Sequence, residues 1–338
     1  MGTPTMDPSS IDWAGLRAEG LSGFSLSVMP PTLSLPALPH AVTVFLQRSA
    51  DESVPLEDLA RIVETDAGLT VELLKRVNSA SSGISVRVKS ISQALALLGR
   101  RPTRMFLTTI GTEAAIRARK SKLINQNSFW NVCLQRALFA REVARLLKTD
   151  VDAAFAGGLL QDFLLPILSN ELFDIYLEFV GQGNTAPEAL AQFEQAKFEW
   201  DHAMAGACLA FQWNLPDELV CCLLYHHAGL RMLSHPKLGR SPVAAVALAA
   251  MIPDPLHTHH GMEQLVKLEK IWPDFNLEIL AAAVDLQQEQ AAIGVRNDFP
   301  LSRRVKSLRG ERQQASAEAT ASAMPESKER RPIAQRAS

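Results

Sequence analysis

The sequence predicts an all-α protein built as a multi-helix bundle. Three observations point there. Apolar residues recur three and four positions apart through most of the chain. Period-2 alternation is absent over useful lengths, and β-branched residues are scattered. Pro, Asp and Ser stand where the apolar stripes begin. The expected centre is Ala154–Phe163, AFAGGLLQDF. Its Gly157-Gly158 pair lets a helix approach its neighbours closely, and the run ends on Gln161-Asp162. A carboxylate at the end of a buried run needs a partner, because an unpaired one is costly.

The elements follow in order. Leu35–Pro39 stiffens the chain ahead of a helix at His40–Ser49. Pro55 suits a first helical position and is followed by Leu56, Leu59, Ile62 and Val63. Asp66 is the expected N-cap of Leu69–Asn78, whose inner stripe is Leu69, Leu73, Leu74 and Val77. Ser90 or Ile91 opens a helix with Ala94, Leu95, Leu97 and Leu98, closed by Gly99; Thr103–Ile116 follows Pro102. Ser128–Leu147 is a long amphipathic helix, and Asp150 or Asp152 caps the central one. Ile167–Val180 reads as one helical stretch, Pro187–Phe211 as one helix or two, and Asp217–His227 as a helix started by Pro216. Ser241–Met251 is apolar all round, so burial on every side is expected. Met262–Glu269 and Leu277–Gln290 are the last helices.

Four regions result: a partly flexible lead at 1–30, in which Asp12, Trp13 and Leu16 can dock; an N-terminal helical part at 31–120; a second helical part at 121–290; and a tail at 291–338. The tail is rich in Arg, Lys, Ala, Ser and Gln and poor in large apolar residues, so a disordered basic tail is expected.

Composition excludes several function classes. With 338 residues and 47% hydrophobic content, the chain can bury a sizeable core. A net charge of −2 and 6% aromatics, not interleaved with basic residues, give no expectation of nucleic-acid binding. The cysteines, Cys133, Cys208, Cys221 and Cys222, form no C-x-x-C pair and lie in apolar surroundings. Buried reduced thiols are expected, which fits a cytoplasmic location. The N-terminus lacks a charged start followed by an apolar run, so no signal peptide is expected. The longest apolar run, Val243–Ile252, falls short of the roughly 20 residues that span a bilayer, so no membrane role is expected.

The residues that could carry chemistry are Asp162, Asp201-His202 and His226-His227, on three expected helices. Neighbouring helices in a bundle can gather such groups around a metal, and a hydrolase site needs several ligands plus an open position for water. His226 and His227 are adjacent and would point about 100° apart on a helix, so at most one is expected at a shared site. The plainer reading has Asp162 accepting hydrogen bonds from His202 or His226, and Gln161 donating and accepting within the same network. His202 would cap or pair at a helix start, and Tyr225 would sit in the core with a wet hydroxyl.

The order Phe129-Trp130, Gly158-Leu159-Leu160-Gln161-Asp162, Asp201-His202, Tyr225-His226-His227 resembles the HD superfamily of metal-dependent phosphohydrolases. More closely it resembles the HDOD branch. Leu35–Pro39 resembles that branch's opening signature, and Val63–Asp66 with Leu73–Ala80 its most recognisable block; Ile91–Gly99 matches the next. The resemblance covers roughly Leu33 to Ala250. It implies an all-helical, bacterial, non-enzymatic module linked to signalling, with residues 121–290 as the HD-like part. It also implies which ligands are missing. A His of the HD enzymes is replaced by Val132, the His of the His-Asp pair by Gln161, and the late Asp by Ala250.

The expectation is therefore no catalytic residue, no metal and no cofactor, and a relic pocket of Gln161, Asp162, His202, His226 and His227. The expected function is a signalling or regulatory module acting through a protein partner or a small nucleotide ligand. The alternatives are a residual metal-dependent phosphohydrolase on nucleotides and a nucleotide-binding sensor. Two further groups have plain readings. His257, His259 and His260 share a loop that could scavenge a metal, and a solvated loop accounts for them. Arg100, Arg101, Arg104, Arg117, Arg119, Lys120 and Lys122 could meet a phosphate, and an exposed helix face accounts for them.

Overall fold

The computed structural model of the chain describes residues 11–79, 86–117, 121–184, 186–256, 261–290 and 300–310. Every regular element among these is helical. The loop histidines His257, His259 and His260, together with Arg119, Lys120 and residues 311–338 of the tail, lie outside the described residues.

Sequence capping signals set the helix starts. Asp66 accepts from Leu69 N at 3.1 Å to open α4 (Ala67–Val77), and Ser90 accepts from Gln93 N at 3.2 Å to open α5 (Ile91–Leu98). With α2 (His40–Ser49), these pack on α6 (Arg100–Arg117), and α3 (Leu56–Glu64) packs on α2, α4 and α5. The buried stripe of α4 is Leu69, Leu73 and Val77, with Leu74 at its edge; on α5, Leu97 turns out to solvent rather than inward. Helix α6 also packs on α8 (Val151–Leu160) and so joins the N-terminal part to the second part within one hydrophobic core.

The second part is organised on α7 (Gln126–Leu147) and α8, a hairpin whose turn places Lys148 at φ 56°. Asp150, rather than Asp152, caps α8, accepting from Asp152 N at 2.9 Å and Ala153 N at 2.8 Å. The glycine pair works as the sequence suggests. A Cβ on Gly158 would lie 2.9 Å from Ala137 Cα of α7; one on Gly157 would lie 2.7 Å from Cys222 Cβ and 2.8 Å from Val246 Cγ2. Helix α8 is thus wedged between α7, α13 (Asp217–Leu224) and α14 (Pro242–Ala249), and every residue of α14 is buried.

The stretch expected as one helix at Ile167–Val180 is two, α9 (Leu165–Glu171) and α10 (Phe173–Gln182). Pro187–Phe211 is also two, α11 (Ala189–Phe198) and α12 (His202–Gln212), separated by Glu199 at φ 64°. Helix α15 (Met262–Leu268) and α16 (Leu277–Gln290) complete the bundle, α16 lying on α7. Val151–Glu171 is long and apolar enough to cross a membrane, yet 83% of that window is buried inside the bundle, in two helices separated by a turn.

The lead docks as Asp12, Trp13 and Leu16 allow, and the expectation for the tail is corrected over residues 301–310. The lead contains α1 (Trp13–Gly20), docked on α13: Arg17 pairs with Asp217 at 2.6 Å, and Tyr225 donates to Leu16 O at 3.0 Å. The expected disordered tail contains a helix. Residues 301–310 are helical, Leu301 and Val305 are fully buried, and Asp285 accepts from Leu301 N at 2.8 Å and Ser302 N at 2.9 Å. Two apolar residues four apart suffice to anchor one short helix, which overall composition does not reveal.

Four residues of the basic band have partners within the fold. Arg100 donates to the carbonyls of Asp51, Glu52 and Val54, and Arg101 bridges Asp150 at 2.7 Å and Glu218. Arg117 pairs with Glu113 one turn earlier, and Lys122 lies over the Phe173 ring.

Candidate functional site

Asp162 lies just past the C-terminus of α8, 2% exposed, at the centre of a buried polar chain. One carboxylate oxygen, Oδ2, accepts from Arg136 Nη1. Arg136 is on α7, one turn after Val132, and its other terminal nitrogen donates to Ala250 O at 3.1 Å and Ile252 O at 2.8 Å. The position expected to have lost an Asp ligand therefore contributes its backbone instead.

The second oxygen, Oδ1, faces His202 Nε2 at 3.2 Å and His226 Nε2 at 3.4 Å. His202 opens α12. Its Nδ1 donates to Glu194 Oε2 at 2.6 Å, and its backbone N–H donates to the same oxygen at 2.9 Å. Tyr176 of α10 donates to the other Glu194 oxygen. Asp201, beside His202, is the N-cap and accepts from Met204 N at 2.8 Å, so capping and pairing fall to neighbouring residues. The chain runs Tyr176, Glu194, His202, Asp162, Arg136 across four helices and the turn after α8, with signs that alternate from Glu194 onward.

Protonation follows from this geometry. Burial opposes charge on Asp162, but the Arg136 guanidinium and the His202 bond outweigh it and hold the carboxyl well below the usual range. Burial also opposes charge on His202, yet Glu194 and Asp162 on either side raise its pKa well above the ordinary value. Two carboxylates, Asp162 and Glu194, thus balance one guanidinium and one imidazolium. Burial and the neighbouring His226 and His202 push His227 well below the ordinary imidazole value, so it is neutral and its Nε2 accepts from His202 Nε2 at 2.8 Å. Burial and Glu194 raise the Tyr176 phenol well above its usual value.

The sequence reading placed His226 and His227 on α13 and allowed only one at the site. Both reach it. Helix α13 ends at Leu224, and the two histidines begin a 3-10 segment, His226–Ser234, with ring centroids 3.9 Å apart and planes tilted by 41°. His226 is fixed by Nδ1–H donating to Leu223 O at 2.7 Å. Gln161, expected to take part in the network, does not: its side-chain N and O are buried and have no hydrogen-bond partner among the described residues. Tyr225 is half-buried, its hydroxyl spent on α1.

Sequence reasoning missed Arg136, Glu194 and Tyr176. A trace of each was present. Arg136 is a lone charge beside Cys133 and Ala137 on an apolar stripe, Glu194 follows Leu190 by one turn, and Tyr176 sits among the apolar residues of α10.

Asp162, His202, His226 and His227 each offer a ligand atom, and these atoms lie within 4.8 Å of one another. As arranged, they do not fit a metal ion. Two nitrogens on one tetrahedral ion with bonds of roughly 2.0–2.1 Å stand about 3.3 Å apart. His202 Nε2 and His227 Nε2 are at 2.8 Å, a separation that holds a proton. A guanidinium already neutralises the one carboxylate of the set.

The fold is an all-helical bundle whose centre holds an Asp ringed by three histidines. The HDOD domain matches residues 35–229, more than half of the chain, and this protein belongs to the HDOD family. It is 25% identical over 198 residues, 57% of its length, to an uncharacterized protein of Treponema pallidum (strain Nichols), of which those residues are 37%. It is 36% identical over 106 residues, 31% of its length, to the cyclic di-GMP phosphodiesterase CdgJ of Vibrio cholerae serotype O1, covering 23% of that protein. The chain thus spans well under half the length of either relative. In fold it is similar to an HDOD domain protein from Geobacter sulfurreducens, with a TM-score of 0.52 at 21% identity, covering 90% of this chain and 95% of that one.

Proposed function

We propose that this chain is a non-enzymatic signalling module that works by binding a signalling or regulatory protein. The observation that supports it best is the commitment of Asp162 to Arg136. A carboxylate held by a buried guanidinium is not available to orient or activate water. His202 is likewise held between Glu194, Asp162 and His227. The signalling setting is supported by the family and by the segment shared with CdgJ, although that segment is under a quarter of that enzyme. We place the protein in the bacterial cytoplasm, where its four free buried thiols stay reduced.

The test is a hydrolysis assay on nucleotides and cyclic dinucleotides, including cyclic di-GMP, with Mg2+, Mn2+ or Zn2+ present. The expected outcome is no turnover above an Asp162→Ala control. Turnover that Asp162→Ala abolishes would establish a residual phosphohydrolase instead. A thermal shift with the same nucleotides, lost in His226→Ala and kept in surface variants, would establish a nucleotide sensor.

A further inference from the structure

We propose that Arg136 closes a latent divalent-metal site formed by Asp162, His202, His226 and His227, its guanidinium standing in for the charge of the ion. This rests on the reading of the site as a closed one, and it explains what closes it.

The donor set is of the N and O type that Zn2+ and Co2+ take, and its atoms already lie within 4.8 Å of one another. The supporting shell is also in place. His202 Nδ1 is held by Glu194 and His226 Nδ1 by Leu223 O, which leaves the Nε2 atom of each directed at Asp162. A histidine whose outer nitrogen is held by a carboxylate or a backbone carbonyl is the usual arrangement of a metal-bound imidazole. His226 Nε2 is moreover buried without a hydrogen-bond partner among the described residues. Against all this stands one fixed cation: an entering metal can displace the proton on His202, whereas Arg136 keeps its charge. Arg136 is 2% exposed, takes Asp162 Oδ2, and is anchored from behind by Ala250 O and Ile252 O. No second cation can enter beside it without strong repulsion at low effective dielectric.

The closure is therefore assigned to the charge on one residue, and changing that residue tests it. Wild type, Arg136→Gln, Arg136→Lys and Arg136→Gln/His226→Ala are titrated with Co2+ and read by visible absorption and by metal content after desalting. Gln keeps amide donors for the two carbonyls. The expected result is about one Co2+ per chain in Arg136→Gln, at least roughly 100-fold tighter than wild type, with the absorption of a tetrahedral site. Arg136→Lys should behave as wild type, and removing His226 as well should weaken Co2+ binding by about 10-fold or more relative to Arg136→Gln. If Arg136→Gln fails to fold, Arg136→Gln/Asp162→Asn removes both charges together and keeps three imidazoles, and it should also bind. Stoichiometric Co2+ in wild type, equal binding by Arg136→Lys, or binding by no variant lacking Arg136 would each overturn the proposal. These outcomes are separate from the hydrolysis assay, since turnover by wild type is read independently of what Arg136 excludes.

Discussion

Arg136 and Asp162, 26 residues apart on α7 and just beyond α8, form an ion pair with side chains only 2% and 3% exposed. Removing one partner strands the other. Asp162→Ala and Arg136→Met should each destabilise the protein by about 3–5 kcal/mol, as for other broken buried pairs. The Arg136→Met/Asp162→Leu double variant should cost clearly less than the sum of the two singles. Urea denaturation of the three variants measures this, and strictly additive losses would argue against a direct pair.

The contribution of Asp162 should depend on pH in one direction. Its folded carboxyl titrates well below the ordinary 3.8, because Arg136 and His202 outweigh burial. Such a group binds fewer protons folded than unfolded. Its contribution is present above the unfolded value and lost as pH falls through the folded one. The stability gap between wild type and Asp162→Asn should therefore hold from about neutral pH to about pH 5 and shrink below about pH 4. A gap that widens with acid would contradict this.

Helix α8 has no room for side chains on its glycine pair. Gly158→Ala drives a methyl against Ala137 Cα and Arg136 O, backbone atoms that cannot turn aside. It should cost about 1–3 kcal/mol by overpacking. Gly206→Ala, whose Cβ would meet only the Phe163 ring at 3.1 Å, should cost less. Thermal melting of the two variants ranks them, and equal melting temperatures would show that α7 and α8 can separate freely.

The thiols should be inert in the folded state. Burial raises Cys133 and Cys222 well above the usual thiol range and Cys221 to about 12. Cys208, also buried, is raised as well. Ellman's reagent should label all four cysteines in urea and react with the native protein only at the rate of unfolding. Rapid native labelling of Cys133 or Cys222 would mean that α7 or α13 opens locally.

The N-terminal helix should stabilise the bundle although it precedes the family match at residue 35. Deleting residues 1–21 uncovers the face of α13 beneath Leu16 and removes the Arg17–Asp217 pair. A lower melting temperature is expected. Arg17→Ala alone should lose about 1 kcal/mol or less, because the pair is part-exposed.

The fold was legible because helices are local. Spacing of apolar residues and caps such as Asp66, Ser90 and Asp150 are written within a few positions of one another. Boundaries that depend on a single left-handed residue were not, as at Glu199 between α11 and α12. The helix at 301–310 was hidden by a composition typical of disorder, because its anchoring depends on Asp285 and on a core surface supplied by distant residues.

For the site, the sequence by itself named four residues that the fold brings together: Asp162, His202, His226 and His227. The tertiary structure decided what they do. It ended α13 one turn early, so that His226 faces Asp162 and His227 meets His202, and left Gln161 outside the network. It also brought in Arg136 and Glu194, which no spacing rule connects to Asp162 or to an HD motif. The reason is physical. Hydrogen-bond periodicity acts over three or four residues and can be read along the chain. The pairing of buried charges acts through space, between helices that meet only when the core has closed.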